Sequence, residues 1–198
     1  MNNQKDKQDD VWIQTQSGQF HLLGPRPGEV RLDDIVRALD RIPRFAGHLS
    51  VRYTVLQHSL AIARYQWQTT GHRGLVMTAL LHDAAEAYIG DITSPMKKLF
   101  GGTIKQIEQG IMKAIWYELV PGKWHYLMND YKEADRLALG AEARLWLPPH
   151  EWKDSIPKDR EMEYCSCWSM VYGTPEMFRK TYEWLIGGDE DKMPEVEI

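Results

Sequence analysis

The sequence predicts an all-α domain with a short N-terminal β-hairpin, and three observations carry that expectation. From Leu32 onward, apolar residues recur at helical spacing, most cleanly in Ile104, Ile107, Ile111, Ile115 and Leu119. Helix starts and stops punctuate the same region: Ser94-Pro95, Pro121-Gly122, Pro148-Pro149 and Thr174-Pro175-Glu176. Alternation of the β type is confined to Trp12-Ile13-Gln14-Thr15 and Gln19-Phe20-His21-Leu22, on either side of a Ser17-Gly18 turn.

Taken in order, residues 1–10 are polar after the initiator and are expected to be disordered. The hairpin follows, then a breaker-rich loop, Gly24-Pro25-Arg26-Pro27-Gly28. Leu32, Ile35, Val36 and Leu39 mark a first helix that ends near Ile42-Pro43, because a proline disfavours helical backbone in the residue before it. A loop of mixed charge and aromatics leads to a second helix from Thr54, with Val55, His58, Ile62 and Tyr65 on one face. A third helix is expected over residues 75–88. Ser94-Pro95 reads as the N-cap and first position of a short helix closed by Gly101-Gly102. Long helices are expected over residues 103–120 and 125–147, the second carrying Ala134, Asp135, Ala138, Ala141 and Glu142 near one side. A helix around residues 160–169 and a last one from Thr174, with Phe178, Tyr182 and Leu185 inward, complete the set. One domain over residues 11–187 is therefore expected, followed by an acidic tail over residues 188–198.

A chain of 198 residues can bury a substantial core as a single domain. The formal charge of −4 gives no basic surplus for a nucleic-acid partner. No apolar run approaches the roughly 20 residues that cross a bilayer, and the polar start is no signal peptide. The two cysteines, Cys165 and Cys167, are poorly spaced for a disulfide and too few for a zinc site. A cytoplasmic protein with no membrane partner is expected. Eight tryptophans are a large aromatic load, so a homo-oligomer is expected to cover part of it, and Trp12 could line a base pocket.

The chemistry gathers around Ala79-Leu80-Leu81-His82-Asp83-Ala84-Ala85-Glu86. An imidazole and a carboxylate adjoin inside an apolar run, where burying them is costly unless something satisfies both. A divalent cation does so, since neutral imidazole and carboxylate are both good ligands. On a continuous helix Glu86 lies one turn after the pair, placing a second carboxylate beside the cation for proton transfer. Asp91, just past Gly90, can reach the same cavity. His58 on the second helix and Asp135 on the sixth likewise interrupt apolar faces. Together these segments supply two imidazoles and two carboxylates, enough for one cation with positions left for water.

The pattern of His, then His-Asp, then a distant Asp resembles the HD-domain phosphohydrolase superfamily, over roughly residues 32–145. The resemblance implies an HD-domain helical core and one divalent cation (Co, Mn, Zn or Mg) held by His58, His82, Asp83 and Asp135. The wording Leu80-Leu81-His82-Asp83-Ala84-Ala85-Glu86, followed by Gly90-Asp91-Ile92-Thr93-Ser94-Pro95-Met96-Lys97, is similar to the branch of 5'-deoxynucleotidases and phage dATP triphosphohydrolases. In that branch an Arg-aromatic pair precedes the first ligand, matched by Arg44-Phe45. Gln57 and Phe45 stand where bacterial deoxynucleotidases carry Glu and Trp, and the Tyr53–His58 wording is closer to the phage relatives.

The resemblance implies a deoxynucleotide substrate attacked at the α-phosphorus, leaning to dATP giving deoxyadenosine and triphosphate in the cytoplasm, the host's if phage-encoded. Glu86 is the candidate proton carrier. Arg44 suits a phosphate through its planar fork, Lys97 or Lys98 adds charge, and Asp91 accepts a hydrogen bond from the sugar. The alternatives are a 5'-deoxynucleotidase acting on monophosphates and an inert nucleotide-binding regulator. A di-iron HD oxygenase would need further histidines between Asp83 and Asp135, where only His125 occurs.

Overall fold

The computed structural model describes residues 11–148, 173–187 and 193–194. Residues 1–10, the helix expected around residues 160–169, both cysteines and most of the acidic tail lie outside the described residues. Within them the chain is mostly helical, with one two-stranded antiparallel hairpin.

Strands β1 (Trp12–Gln14) and β2 (Gln19–His21) pair with Ile13 opposite Phe20. Thr15 closes the turn by donating from its backbone N to the Gly18 carbonyl, and Gly18 at φ 144° supplies a conformation other residues resist. A two-stranded hairpin is marginal alone, so the body of the protein holds it. Phe20 is fully buried and stacks on Tyr88 with ring centroids 3.6 Å apart, and the Thr15 hydroxyl donates to Asp34 at 2.7 Å.

Helix α1 (Leu32–Leu39) buries Ile35, Val36 and Leu39 and ends before Pro43, as expected. Helix α2 (Val55–Thr70) is the central element. Thr54 and Gln57 form a capping box at its start, and Gly71, at φ 61°, ends it in the left-handed conformation. His72 then caps α3 (Arg73–Leu81) by accepting from the Leu75 amide. Gly74 is required there, because a Cβ would meet Leu127 at 2.6 Å and Trp124 at 2.8 Å. Apolar side chains line α2 and α3 on most sides, so both are buried within the bundle.

The third helix differs from the sequence expectation. It stops at Leu81; residues 82–85 form a turn, and a separate short helix α4 (Glu86–Ile89) follows. Bonds from Ala84 N to the Leu81 carbonyl and from Glu86 N to the Asp83 carbonyl tighten the backbone to three-residue steps. Helix α5 (Ser94–Leu99) starts one residue earlier relative to its cap than expected, with Thr93 at the N-cap position. Helix α6 (Gly102–Leu119) matches the expectation and buries Ile111, Ile115 and Trp116.

The helix expected over residues 125–147 begins later. A 3₁₀ segment (Gly122–Leu127) and a turn precede α7 (Lys132–Trp146), so Asp135 sits in the first turn of α7. Ala134, Ala138 and Ala141 are buried on one side of α7, which packs on α2. Helix α8 (Pro175–Gly187) starts with Thr174 accepting from the Met177 amide and inserts Phe178 and Leu185 into the core. Among the described residues, no helix is long and apolar enough to cross a membrane.

Candidate metal centre

His58 enters from α2, fully buried, and its Nδ1 lies 2.7 Å from Glu142 Oε1. Burial pushes the Glu142 carboxyl up, but His58, Arg44 and the Tyr53 hydroxyl outweigh it and hold the group below its usual range. An ionised carboxylate only accepts, so the His58 proton is assigned to Nδ1. His82, at the end of α3, has Nδ1 2.7 Å from the Ala79 carbonyl, another pure acceptor. The same assignment follows. In the neutral imidazoles both Nε2 lone pairs are therefore left free for a ligand, the orientation a metal-binding histidine takes when its other nitrogen is anchored.

Both Nε2 atoms are buried without a hydrogen bond and face carboxylate oxygens. His82 Nε2 is 3.0 Å from Asp83 Oδ2 and 3.8 Å from Asp135 Oδ1. His58 Nε2 is 3.2 Å from Asp135 Oδ1 and 3.6 Å from Asp83 Oδ2. Lone pairs pointed at anionic oxygens repel unless a positive charge lies between them. Ligand bonds of about 2.0–2.2 Å put neighbouring donors of one ion roughly 3.0–3.6 Å apart, which this spacing matches. His58, His82 and Asp83 could thus hold a metal ion, with Asp135 at the same focus.

In the ion-free protein a proton on His58 can fill that role. Burial and Arg44 oppose it, but Glu142 and Asp135 raise the His58 pKa to about 9. A raised pKa stabilises the fold below the ordinary value of about 6.5, and that contribution is lost as pH rises through about 9. Metal ligation requires the neutral ring, so an ion must displace the proton and binds more tightly as pH rises. Melting curves between pH 6 and 9 should show this contribution draining from the ion-free protein while the gain on adding Mn²⁺ grows. A gain independent of pH would exclude His58 as a ligand.

Beside this focus opens a cavity of about 650 Å³. The sequence-predicted residues Arg44, Phe45, Asp83, Glu86, Asp91 and Asp135 all line it, and Lys97 and Lys98 complete one side. Arg44 is buried, with its guanidinium 3.3 Å from Glu142 Oε2 and 3.6 Å from Asp83 Oδ2. The 3₁₀ turn Arg44–Gly47 presents it through an unusual backbone: Phe45 and Ala46 both have φ near 50° without being glycine. Glu86 is almost fully buried and its Oε2 has no hydrogen bond. Burial first, then Asp83 and Asp91, push its pKa well above the usual range. Burial likewise raises Asp91. Lys97 is held by Glu108 at 2.9 Å.

Glu142 was not singled out in the sequence, although it lies two helical turns after Asp135 among Ala138 and Ala141. A charged residue on an alanine-lined face was the available signal. Trp12 does not line the cavity, and His48, exposed at the end of the 3₁₀ turn, does. His125 bonds the Val120 carbonyl through Nε2, away from the centre.

Fold and site define a small, mostly helical protein with a buried cluster of two histidines and a carboxylate that could hold a metal ion, beside a cavity. No family model matches the chain. It is 32% identical over 172 residues to the uncharacterized protein YfdR of Escherichia coli (strain K12), covering 84% of this chain and 83% of that one, and it belongs to the YfdR family. An uncharacterized protein of Rhodobacter capsulatus is 29% identical over 111 residues, 53% of this chain and 56% of that one.

Proposed function

We propose that this protein is a metal-dependent phosphohydrolase of the HD-domain kind, acting on deoxynucleotides at the 5' ester. One observation carries the proposal: side chains from distant parts of the sequence meet in one cavity with complementary chemistry. His58, His82 and Asp83, with Asp135 beside them, could hold a cation at the edge of the cavity, Glu86 and Asp91 line it, and Arg44 and Lys97 supply positive charge. A divalent ion bound there would lower the pKa of a bound water toward neutrality and neutralise charge growing on the phosphoryl oxygens. The Arg44 guanidinium, braced by Glu142, orients the phosphate. Water adds to the α-phosphorus and its proton passes to a phosphate oxygen. The bond to the 5'-oxygen breaks as Glu86, favoured in its protonated form, gives that oxygen a proton, and Glu86 regains one from solvent as the phosphate leaves. Asp91 accepts from the sugar hydroxyl, and Phe45, Leu139 and Leu147 offer apolar surface to the base.

The charge of the cavity favours a monophosphate over the triphosphate. Arg44, Lys97 and Lys98 face Asp83, Glu86, Asp91 and Asp135. Arg44 and Lys97 already have carboxylate partners in Glu142 and Glu108. With Glu86 protonated, the three cations and a divalent ion would then roughly balance Asp83, Asp91, Asp135, Glu142 and Glu108, leaving little surplus positive charge for phosphates beyond the first. A triphosphate brings more negative charge than the lining answers.

Chromatography of early time points with dAMP and dATP, each with Mn²⁺, Co²⁺, Zn²⁺ or Mg²⁺, tests the proposal. The expected products are deoxyadenosine and phosphate from dAMP, and deoxyadenosine with intact triphosphate from any dATP consumed. Accumulating dADP would overturn the cleavage position, and no metal-dependent product from either would overturn the activity.

A further inference from the structure

A second cavity, of about 450 Å³, lies between the hairpin and the outer face of α1. Its size suits a small organic ligand. Its chemistry is not that of the metal centre. Arg37, in the last turn of α1, and Arg41, in the turn that follows the helix, both line it. Among the described residues neither forms an ion pair: Arg41 donates to the Arg37 carbonyl at 2.7 Å, and the acidic residues nearby are engaged elsewhere. Asp33 pairs with Arg179, and Asp34 accepts from Thr15. Two guanidinium groups lining one cavity repel each other, a cost that a bound anion would offset.

The rest of the lining pairs an apolar floor with polar hands. Ile13, Ala38 and Ala87 are apolar, Gln14 and Gln16 offer amides, and Thr15 and the Asp34 carboxylate it bonds are also in the lining. Tyr88 is also in the lining, its ring packed on Phe20. Fixed cations, amides and an apolar surface together select an anion with a flat apolar body, of which a nucleoside phosphate is the fitting class.

The two cavities share one element. Helix α4 turns Glu86 to the metal-side cavity and Ala87 and Tyr88 to this one. We propose that the cavity between the hairpin and α1 is a second ligand site, for a nucleoside phosphate, connected through α4 to Glu86. The binding claim stands apart from the proposed activity; only the connection rests on it.

Equilibrium dialysis of the full, metal-free chain with labelled AMP, alongside inorganic phosphate, tests it. Arg37→Gln/Arg41→Gln is compared with Arg44→Ala and with Lys105→Gln/Lys113→Gln, which removes the same charge from the exposed side of α6. The expected result is a site whose affinity falls about tenfold or more for each guanidinium lost, unchanged in the other two variants, and with AMP preferred to phosphate. Melting curves confirm that the variants fold, and Arg37→Lys/Arg41→Lys replaces the Gln pair if it does not. AMP binding that survives the Arg37/Arg41 variant and vanishes in Arg44→Ala would overturn the second site while supporting the first. Binding lost only in the Arg37/Arg41 variant would support the second site, and because the chain is ion-free it leaves the first site to the turnover assay. Equal binding of phosphate and AMP would overturn the nucleoside part. A turnover of dAMP unaffected by saturating the Arg37/Arg41 site would overturn the connection.

Discussion

Asp83→Ala is expected to abolish ion binding and hydrolysis together while leaving the fold in place. The reason is geometric. Asp83 Oδ2 lies 3.0 Å from His82 Nε2 and 3.6 Å from both His58 Nε2 and the Arg44 guanidinium, so it is the oxygen shared by every positive or ligating group at the focus. Burial would raise its pKa, yet His82, His58 and Arg44 together hold it far below the usual carboxylate range. Without it, two neutral imidazoles and the half-exposed Asp135 remain, too little negative charge to hold a hydrated divalent cation. Elemental analysis should find one ion per chain in the wild type and none in the variant. An ion at a hundredfold excess over its Kd stabilises by about 2.7 kcal/mol, or roughly 5–10 °C in Tm for a chain of this size. That gain should vanish in the variant. An ion-free Tm within a few degrees of wild type would distinguish a lost ligand from a lost fold. Full ion content with normal turnover would remove Asp83 from the site.

Much of this arrangement was legible in the sequence because burial writes a period into a helix. The Ile104 to Leu119 stripe, the Thr54 cap and the Thr174-Pro175 start all reappear as α6, α2 and α8. The hairpin was legible from its alternation and its glycine. The break after Leu81 was not. Ala84, Ala85 and Glu86 are good helix formers, and nothing local announces that tertiary contacts tighten the backbone there. A turn, and not a continuous helix, therefore delivers Glu86 to the cavity.

The left-handed run through Phe45 and Ala46 was equally hidden, since neither residue favours it and each costs about 1–2 kcal/mol. Strain of that kind persists where surrounding structure demands it, here in the turn that carries Arg44 and Phe45. Glu142 was hidden for a different reason. A glutamate in a helix is ordinary until the fold brings His58, Arg44 and Tyr53 onto its two oxygens.

Glu86→Gln should keep the ion and the substrate and lose about 10²–10⁴-fold in turnover, the usual contribution of a positioned acid or base. Glutamine preserves the shape and the ability to donate a hydrogen bond, but it cannot release a proton to a leaving oxygen. The native carboxyl is suited to that release. It is almost fully buried, its Oε2 is unbonded, and burial with Asp83 and Asp91 nearby raises its pKa well above that of an ordinary glutamate. A raised pKa makes the protonated form the one present over more of the pH range, so wild-type turnover should fall on the alkaline side as Glu86 ionises. In Glu86→Gln that limb should disappear along with most of the rate. Charge works in the same direction on the ion, because a neutral side chain at this position removes little attraction if the native group is already protonated. Ion content and KM should therefore stay near wild type while kcat drops. Single-turnover rates across pH, with ion content measured on the same samples, separate the outcomes. A falling ion content would make Glu86 a ligand, and near-normal turnover at every pH would make it structural.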